Sequence, residues 1–161
     1  MNWENKSFSE LTNDELYHIL KLRVDVFVVE QNCPYPEIDG YDQESRHLYL
    51  INEGQILAYC RIIPPNVKFE EASIGRVITH DSTRRTGIGT ELINRALEYI
   101  SQTYSDSNVK IEAQAHLQQF YGNCGFQTIS DEFLEDGIPH VEMIFLGKQQ
   151  KSRIYKCFCL K

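Results

Sequence analysis

The spacing of apolar residues along the chain predicts three helices. In each helical segment, apolar side chains recur every three or four positions, so one face of the helix can be buried against a sheet. Thr12 and Glu15 form a capping-box pattern at the start of the first segment. Gly125 follows the last segment and is a typical C-cap. The predicted helices cover residues 13–30, 87–104 and 117–124.

Runs of apolar, β-branched and aromatic residues predict seven strands around these helices. Glu53-Gly54 joins two of them in a hairpin pattern. The order of elements predicts an α/β domain with a mixed sheet, in which residues 72–115 form a right-handed parallel crossover. Residues 31–46 and the acidic segment that ends at 136–139 are expected to be loops, and the tail from Gly147 either a disordered arm or an added strand. The predicted strands cover residues 2–8, 47–52, 55–64, 72–79, 109–115, 126–129 and 141–146.

Length and composition limit the possible functions. The 161 residues suit one domain, and 42% of them are hydrophobic, which is ample for a core. A formal net charge of −7 argues against nucleic-acid binding, which normally requires a basic face. The N-terminus is polar and lacks a secretory signal, and no apolar run reaches the length of a membrane span. We therefore expect a cytoplasmic protein that binds neither nucleic acid nor membrane.

Charge and cysteine content refine this expectation. Residues 147–161 hold five basic residues and no acidic ones, which leaves 11 basic against 23 acidic residues and a net charge of −12 elsewhere. An acidic body favours cationic small molecules as ligands. The five cysteines are scattered and match neither a zinc pattern nor a disulfide framework, so we expect reduced thiols and no metal. Cys157-x-Cys159 could be a small metal or redox pair, although a chance pair in the tail is the favoured interpretation.

A glycine loop between a strand and a helix, within residues 74–90, is the most informative segment. Gly87 and Gly89 remove Cβ atoms where a backbone can approach a ligand closely. The helix that follows directs its unpaired N–H groups at the loop, and Arg84 and Arg85 add two cations. These features predict a pyrophosphate cradle, although a plain turn with two glycines has the same pattern. The loop is neither a Walker A motif nor a dinucleotide fingerprint, because Gly-Lys-Ser/Thr and the third glycine are missing.

Arg84-x-x-Gly87-x-Gly89 resembles the acetyl-CoA loop of the GNAT superfamily of N-acetyltransferases, whose pattern is Gln/Arg-x-x-Gly-x-Gly/Ala. In that family the loop holds the pyrophosphate of coenzyme A. Tyr121, Gly125 and Phe126 fit the pattern Tyr-x-x-x-Gly-Phe near the end of GNAT domains. Taken alone, Tyr121 would be interpreted as an aromatic anchor. The two motifs lie about thirty residues apart with a helix and a strand between them, and together they favour the family.

The resemblance covers about residues 2–146 and extends to the ElaA-like branch of the superfamily. Residues 22–35, 112–117 and 136–143 are similar to the motifs of that branch. It implies the GNAT acyl-CoA N-acyltransferase fold, an α/β fold with a mixed, mostly antiparallel sheet flanked by helices. The domain would then occupy residues 1–147, and residues 148–161 would be a basic tail of unknown structure. One departure is Gln114, which stands where many members place an asparagine that binds the pantetheine arm.

The resemblance implies direct transfer of an acetyl group from acetyl-CoA to a bound amine, without an acyl-enzyme. Backbone N–H groups of the strand at Val77–Thr79 would orient the thioester carbonyl, and Tyr121 would protonate the leaving thiolate. The cosubstrate would then contact Val77, Ile78, Thr79, Arg84, Arg85, Thr86, Gly87, Ile88, Gly89, Thr90 and Gln114.

The residue that deprotonates the amine is left open by the sequence. A histidine suits this task because it titrates near neutrality. His116 lies where a strand becomes a helix, and His140 begins a late strand. A water molecule relayed to a carboxylate is an equal alternative. The candidates for this base are Glu30, His47, Glu112, His116, His140 and Glu142. Of these, Glu30, His116 and His140 are predicted catalytic residues, together with Tyr121.

Charged residues elsewhere have both a structural and a functional interpretation. Arg61 and Arg76 lie within apolar strands, where an arginine usually pairs with a carboxylate, although both could line the acceptor site. The loop at 31–46 carries acidic residues that could attract an ammonium substrate or simply be exposed to solvent. These residues are Glu37, Asp39, Asp42 and Glu44.

The sequence therefore predicts a cytoplasmic acetyl-CoA:amine N-acetyltransferase that acts on a small-molecule amine and could form a homodimer. A non-catalytic CoA-binding sensor or interaction module is one alternative. An acyl-homoserine-lactone synthase-like enzyme is another, but the sequence offers no additional motif for S-adenosylmethionine. The acceptor cannot be identified from sequence, because one fold serves many acceptors through its loops.

Overall fold

The computed structural model describes residues 1–105 and 108–147. These residues form three α-helices, eight strands and several short helical turns. A π-helix at Asp25–Glu30 continues α1 directly. In chain order the elements are β1 (Asn2–Ser7), α1 (Asn13–Val24), β2 (Arg46–Asn52), β3 (Gln55–Ile63), β4 (Ser73–Thr79), α2 (Ile88–Thr103), β5 (Val109–Gln114), α3 (Gln118–Asn123), β6 (Gln127–Thr128), β7 (Phe133–Glu135) and β8 (Ile138–Phe145).

Two sheets make up the body of the described part of the chain. In one sheet the strands β1, β2, β3 and β4 lie side by side and antiparallel. In the other, β8 pairs with β5, β6 and β7, again antiparallel. The sheets meet at a parallel bridge between Ala72 and Val109, where the N–H of Lys110 donates to the carbonyl of Ala72 at 2.9 Å. The expected parallel arrangement of these two segments is therefore confirmed, and beyond the bridge β4 and β5 separate.

The helices pack on these sheets as their apolar spacing predicts. The buried face of α2 presents Leu92, Ile93, Ala96 and Ile100 to the main core, which both sheets share. A second core forms where Ile19 of α1 packs near Tyr49 and Tyr59. Thr12 caps α1 by accepting from the N–H of Glu15, as the capping-box pattern predicts. Every helix in residues 1–105 and 108–147 is too short or too polar to cross a bilayer.

The prediction of an acidic loop before the last strand is wrong. Phe133–Glu135 is a strand, and it pairs with β8 across the two-residue turn Asp136-Gly137. Both turn residues have positive φ, at 50° and 77°, which is the backbone of a hairpin turn with the right-handed strand twist. Asp-Gly is a strong hairpin signal, so this hairpin was readable from the sequence. The tail at 148–161, including Cys157 and Cys159, lies outside the described residues.

Candidate active site

A cavity of about 800 Å3 lies where β4 and β5 separate. The backbone of β4 at 73–79 forms one wall, and Glu112–Gln114 of β5 form the opposite wall. Further lining residues come from the π-helix, the 31–46 loop, the start of α3 and the β7–β8 hairpin. Of the predicted catalytic residues, all four lie at this cavity, namely Glu30, His116, Tyr121 and His140. The structure therefore brings together residues that are far apart in the sequence.

The glycine loop lies at one end of β4, as predicted. Gly87 is the N-cap of α2 and has φ +88°, a left-handed conformation that L side chains rarely adopt. No side chain of the described residues accepts a hydrogen bond from the first backbone N–H groups of this helix. A Cβ built on Gly87 would meet no atom within 4 Å. The helix start therefore combines open space with unsatisfied backbone donors, the combination that binds an anion.

Two threonine hydroxyl groups fix the polar turn that precedes this loop. The buried hydroxyl of Thr83 donates within 3.0 Å of the carbonyls of Leu57 and His80. The hydroxyl of Thr86 donates to the carbonyl of Thr83 at 2.6 Å. The turn before the loop is thus connected to β3 through Thr83.

The two arginines of the loop have different surroundings. Arg84 forms ion pairs with Glu30 at 3.0 Å and with Asp81 at 2.6 Å, so its charge is already compensated. Arg85 is exposed, has φ 64° and makes no ion pair with any described residue. Arg85 is therefore the cation of the loop that is free to meet a phosphate group.

Arg76 interrupts β4 with a β-bulge. Tyr59 of β3 pairs with Ile78, whereas Arg61 pairs with Gly75, so β4 has one residue more than β3 between these pairs. Arg76 has φ 53°, which is unusual for a non-glycine residue inside a strand. Because β4 is the outer strand of its sheet, its edge N–H and C=O groups face the cavity.

Tyr121 lies in the cavity wall with a hydroxyl that has no hydrogen-bond partner among residues 1–105 and 108–147. The side chain is almost fully buried, packed edge-on against Phe120 and Phe126. Burial raises the pKa of Tyr121 above its usual range, so the hydroxyl keeps its proton at neutral pH. A donor at a cavity wall that has no partner among the described residues is available to a ligand.

Gln114 also lies on the cavity wall, and its amide donates to the side-chain carbonyl of Gln31 at 3.1 Å. Gln31 follows the π-helix, so this bond connects the two sides of the cavity. No local sequence pattern indicates the Gln31 contact, because the two residues are 83 positions apart.

Three of the four acidic residues of the 31–46 loop form an ion-pair network with three arginines, and this overturns their interpretation as exposed steering charges, whereas Glu44 is exposed. Asp42 accepts from Arg23 at 2.6 Å and from Arg61 at 2.9 Å. Asp39 accepts from Arg61 at 2.7 Å. Arg76 completes the network through Glu37 and Asp39, at 2.7 and 3.1 Å. The expected carboxylate pairing of Arg61 and Arg76 is thus confirmed, and both residues also line the cavity.

Burial makes this network electrostatically strong. Asp42 is 4% exposed and Arg23 is fully buried. Burial alone would raise the pKa of Asp39, but hydrogen bonds and attraction from Arg61 and Arg76 outweigh it and lower that pKa to about 2. Charges paired in this way cannot attract a distant substrate, since each is already neutralised by its neighbours.

Ion pairs or hydrogen bonds occupy most of the candidate bases. Glu30 forms an ion pair with Arg84 at 3.0 Å. Glu142 forms an ion pair with Lys110 at 3.0 Å and lies outside the cavity lining. Glu112 is bound by Lys68.

Three histidines remain, and their surroundings differ. His47 is fully buried and uses both ring nitrogens, towards the hydroxyl of Tyr59 and the carbonyl of Asp42. Burial lowers the pKa of His47. His116 is exposed and has no hydrogen-bond partner among the described residues.

His140 is held in a fixed orientation on β8. Its Nδ1 lies 2.7 Å from the carbonyl oxygen of Ile138, and its ring stacks on Phe133 at 6.2 Å. Its Nε2 lies 3.7 Å from a carboxylate oxygen of Glu135. Glu135 is not among the site residues predicted from the sequence. The Asp136-Gly137 hairpin pattern would have indicated it, because this hairpin pairs Glu135 with Ile138, and Ile138 lies two residues before His140.

Comparison with known proteins is consistent with this arrangement. The family model described as an acetyltransferase (GNAT) domain matches residues 12–146. Protein ElaA of Escherichia coli is 41% identical over 145 residues, which are 89% of this chain and 95% of that protein. A crystal structure described as an acyl-CoA N-acyltransferase from Pseudomonas aeruginosa is 42% identical, with a TM-score of 0.85 over 90% of this chain and 99% of that one. The crystal structure of E. coli ElaA has a TM-score of 0.82 at 39% identity, over 90% of this chain and 99% of that chain.

Proposed function

This chain belongs to the GNAT acetyltransferase family, and from that premise we propose that it transfers an acetyl group directly from acetyl-CoA to the primary amine of a small molecule. The family membership and the GNAT acyltransferase fold are established by the comparisons above. The acetyl donor, the amine acceptor and the roles of individual residues are our proposals. We also propose that the reaction takes place in the cytoplasm.

One observation carries the proposal: the separation of β4 from β5 opens a cavity whose lining includes Tyr121 and Arg84, and Arg84 lies three residues before Gly87 at the start of α2. The unsatisfied N–H groups at the start of α2, together with Arg85, suit a pyrophosphate. The open space at Gly87 would admit it, since no atom lies within 4 Å of a Cβ there. The residues present therefore fit an acyl-CoA.

When bound, acetyl-CoA supplies a thioester whose carbonyl carbon accepts an amine. Edge N–H groups of β4 near the bulge at Arg76 would donate to the carbonyl oxygen and stabilise the charge that develops there. Gln114 would offer its amide to the pantetheine arm, in exchange for its bond to Gln31. These contacts orient the reacting atoms and need no covalent enzyme intermediate.

Tyr121 is the proposed proton donor. As the C–N bond forms and the C–S bond breaks, its hydroxyl gives a proton to the sulfur that leaves. Because burial raises the pKa of Tyr121, the anion that results cannot persist, and it takes back the proton that the new amide nitrogen releases. The chain thus returns to its initial protonation state with one amide and one thiol formed.

Two measurements test the function. Calorimetry with coenzyme A and acetyl-CoA tests the cradle, and mass detection of acetylated products in a panel of amines tests the transfer. We expect a saturable 1:1 CoA complex and acetylation of at least one primary amine.

The alternatives give different results in the same assays. CoA binding without acetylation of any amine would favour a non-catalytic sensor. A lactone product that forms only with S-adenosylmethionine would favour the acyl-homoserine-lactone synthase alternative.

A further inference from the structure

The cavity contains two facing acceptor atoms that have no donor among residues 1–105 and 108–147. They are Nε2 of His140 and Oε2 of Glu135, 3.7 Å apart. We infer that this pair is the subsite for the primary ammonium group of the acceptor, and that His140 is the base that removes its proton. The inference rests on the proposed acetyltransferase function and adds to it the acceptor's binding group and the base.

The hydrogen bond of Nδ1 fixes the tautomer of His140. Nδ1 lies 2.7 Å from the carbonyl oxygen of Ile138, and a carbonyl oxygen can only accept. Nδ1 therefore carries the proton, and the neutral ring has its lone pair on Nε2. That lone pair faces the carboxylate of Glu135, which is itself an acceptor when ionised. The two groups cannot hydrogen-bond to each other in this state.

An ammonium group satisfies both atoms at once. It has three N–H donors, and a nitrogen that is about 2.8–3.0 Å from each acceptor can bridge two atoms that are 3.7 Å apart. Glu135 compensates the positive charge, and its side chain is 45% exposed, so an incoming cation can reach it. A quaternary ammonium has the charge but no N–H group, so it would not be recognised in this way.

The proton transfer follows directly from this geometry. One N–H bond of the ammonium breaks, its electron pair stays on nitrogen, and the proton moves to Nε2. The nitrogen then has the lone pair that acyl transfer requires, and His140 becomes an imidazolium beside Glu135. The proton afterwards passes to water at the exposed carboxylate, which restores the neutral ring.

The rigidity of His140 distinguishes it from the other candidates. Its side chain is 13% exposed, stacked on Phe133 and held at Nδ1, so Nε2 keeps a constant direction. It also pairs in register with Gln114 of β5, and side chains opposite each other in an antiparallel pair share one face of the sheet. His116 has no such partners, and Glu30 is engaged by Arg84.

The tautomer can be measured in the free protein. Long-range 1H–15N NMR correlations of the histidine rings report which nitrogen carries the proton. We expect the Nδ1–H form for His140 when the ring is neutral. An Nε2–H form would overturn the inference, because the lone pair would then point at a backbone carbonyl.

Binding is tested with n-butylammonium chloride at constant ionic strength, without any acyl donor. We expect its addition to shift the Nε2 resonance of His140, and Glu135→Gln to weaken this binding about three- to tenfold. Glu132→Gln is the matched control, since Glu132 is an exposed carboxylate of the same segment outside the cavity lining. Tetramethylammonium should leave the resonance unchanged. Equal effects of the two cations, or of the two variants, would refute the subsite.

Kinetics with saturating acetyl-CoA test the base. His140→Gln should lower kcat by about 10²-fold or more, the usual contribution of general base catalysis, while CoA affinity stays unchanged by calorimetry. His18→Gln is the control, because His18 makes the same 2.7 Å Nδ1 contact with a carbonyl, on α1 and outside the cavity lining. Full activity of His140→Gln would exclude His140 as the base. Absence of acetylation by the wild-type protein would instead refute the proposed function, and the NMR results would still decide the subsite.

Discussion

Replacement of Tyr121 by phenylalanine removes one oxygen atom from the wall of the cavity and leaves the packing of the ring in place. The hydroxyl has no partner among the described residues, so its loss breaks no hydrogen bond within the part of the chain that the structure describes. The change therefore separates the chemical role of Tyr121 from its structural role. We expect turnover to fall and the folded state to be unaffected.

The expected magnitudes differ for the two quantities. General acid catalysis contributes about 10²–10⁴-fold, which corresponds to roughly 2.7–5.4 kcal/mol of activation free energy. The free energy of unfolding should change by less than about 0.5 kcal/mol, because a hydrogen bond contributes about 1 kcal/mol and none is lost here.

Tyr49→Phe is the matched control for this experiment. Tyr49 is fully buried outside the cavity lining, and its hydroxyl donates to Glu15 at 2.8 Å. That variant should lose about 1–2 kcal/mol of unfolding free energy and keep its kcat, because a hydrogen bond to a charged group is removed far from the reaction. The two variants should thus give opposite results in the two assays.

The assay is thiol release at saturating acetyl-CoA with an amine identified by the acceptor screen, combined with urea denaturation and CoA calorimetry. Unchanged kcat in Tyr121→Phe would refute the reasoning, since water would then protonate the sulfur. A loss of stability comparable to that of Tyr49→Phe would show that the Tyr121 hydroxyl has a structural partner.

Three further outcomes follow from the structure. Gly87→Ala should weaken CoA binding, measured by calorimetry, at least about tenfold. Gly54→Ala imposes similar backbone strain at φ +81° in a distant turn and should leave CoA affinity unchanged, so equal CoA affinities of the two variants would contradict the pyrophosphate cradle. Asp42→Asn should lower the unfolding free energy, measured by urea denaturation, by about 3–5 kcal/mol, because two buried arginines lose a partner. Glu44→Gln, at an exposed residue, should change it by less than about 0.5 kcal/mol, and similar changes in the two variants would show that the network is exposed to solvent. The folded-state pKa of Asp39 lies below its ordinary value of 3.8, so its contribution to the free energy of unfolding is complete above pH 4 and is lost as pH falls towards about 2. This contribution, on the order of 2 kcal/mol, should disappear from the pH dependence of the unfolding free energy in Asp39→Asn, and an unchanged pH dependence would contradict the prediction.

Local patterns in the sequence determined the secondary structure and the candidate cosubstrate loop. The Thr12 capping box, the apolar spacing of α2 and the glycines before it depend on residues within a few positions of each other. Short-range sterics and hydrogen bonding fix such features, so reading them needs no knowledge of the fold. The β7–β8 hairpin belongs to the same class, because its Asp136-Gly137 turn is also a local pattern.

Only the tertiary structure decided which charged and polar groups are available for chemistry. Asp42 and Arg61 are 19 positions apart, and Gln114 and Gln31 are 83 apart, so no local pattern indicates that each pair is bonded. The carboxylates of the 31–46 loop are the same residue types whether they are free or neutralised, and burial beside the arginines determines which. Likewise, the sequence named His140 as one candidate among several, and the carbonyl of Ile138 and the carboxylate of Glu135 give its Nε2 a direction and a partner. Availability depends on the atoms that surround a group, and the folded chain alone places those atoms.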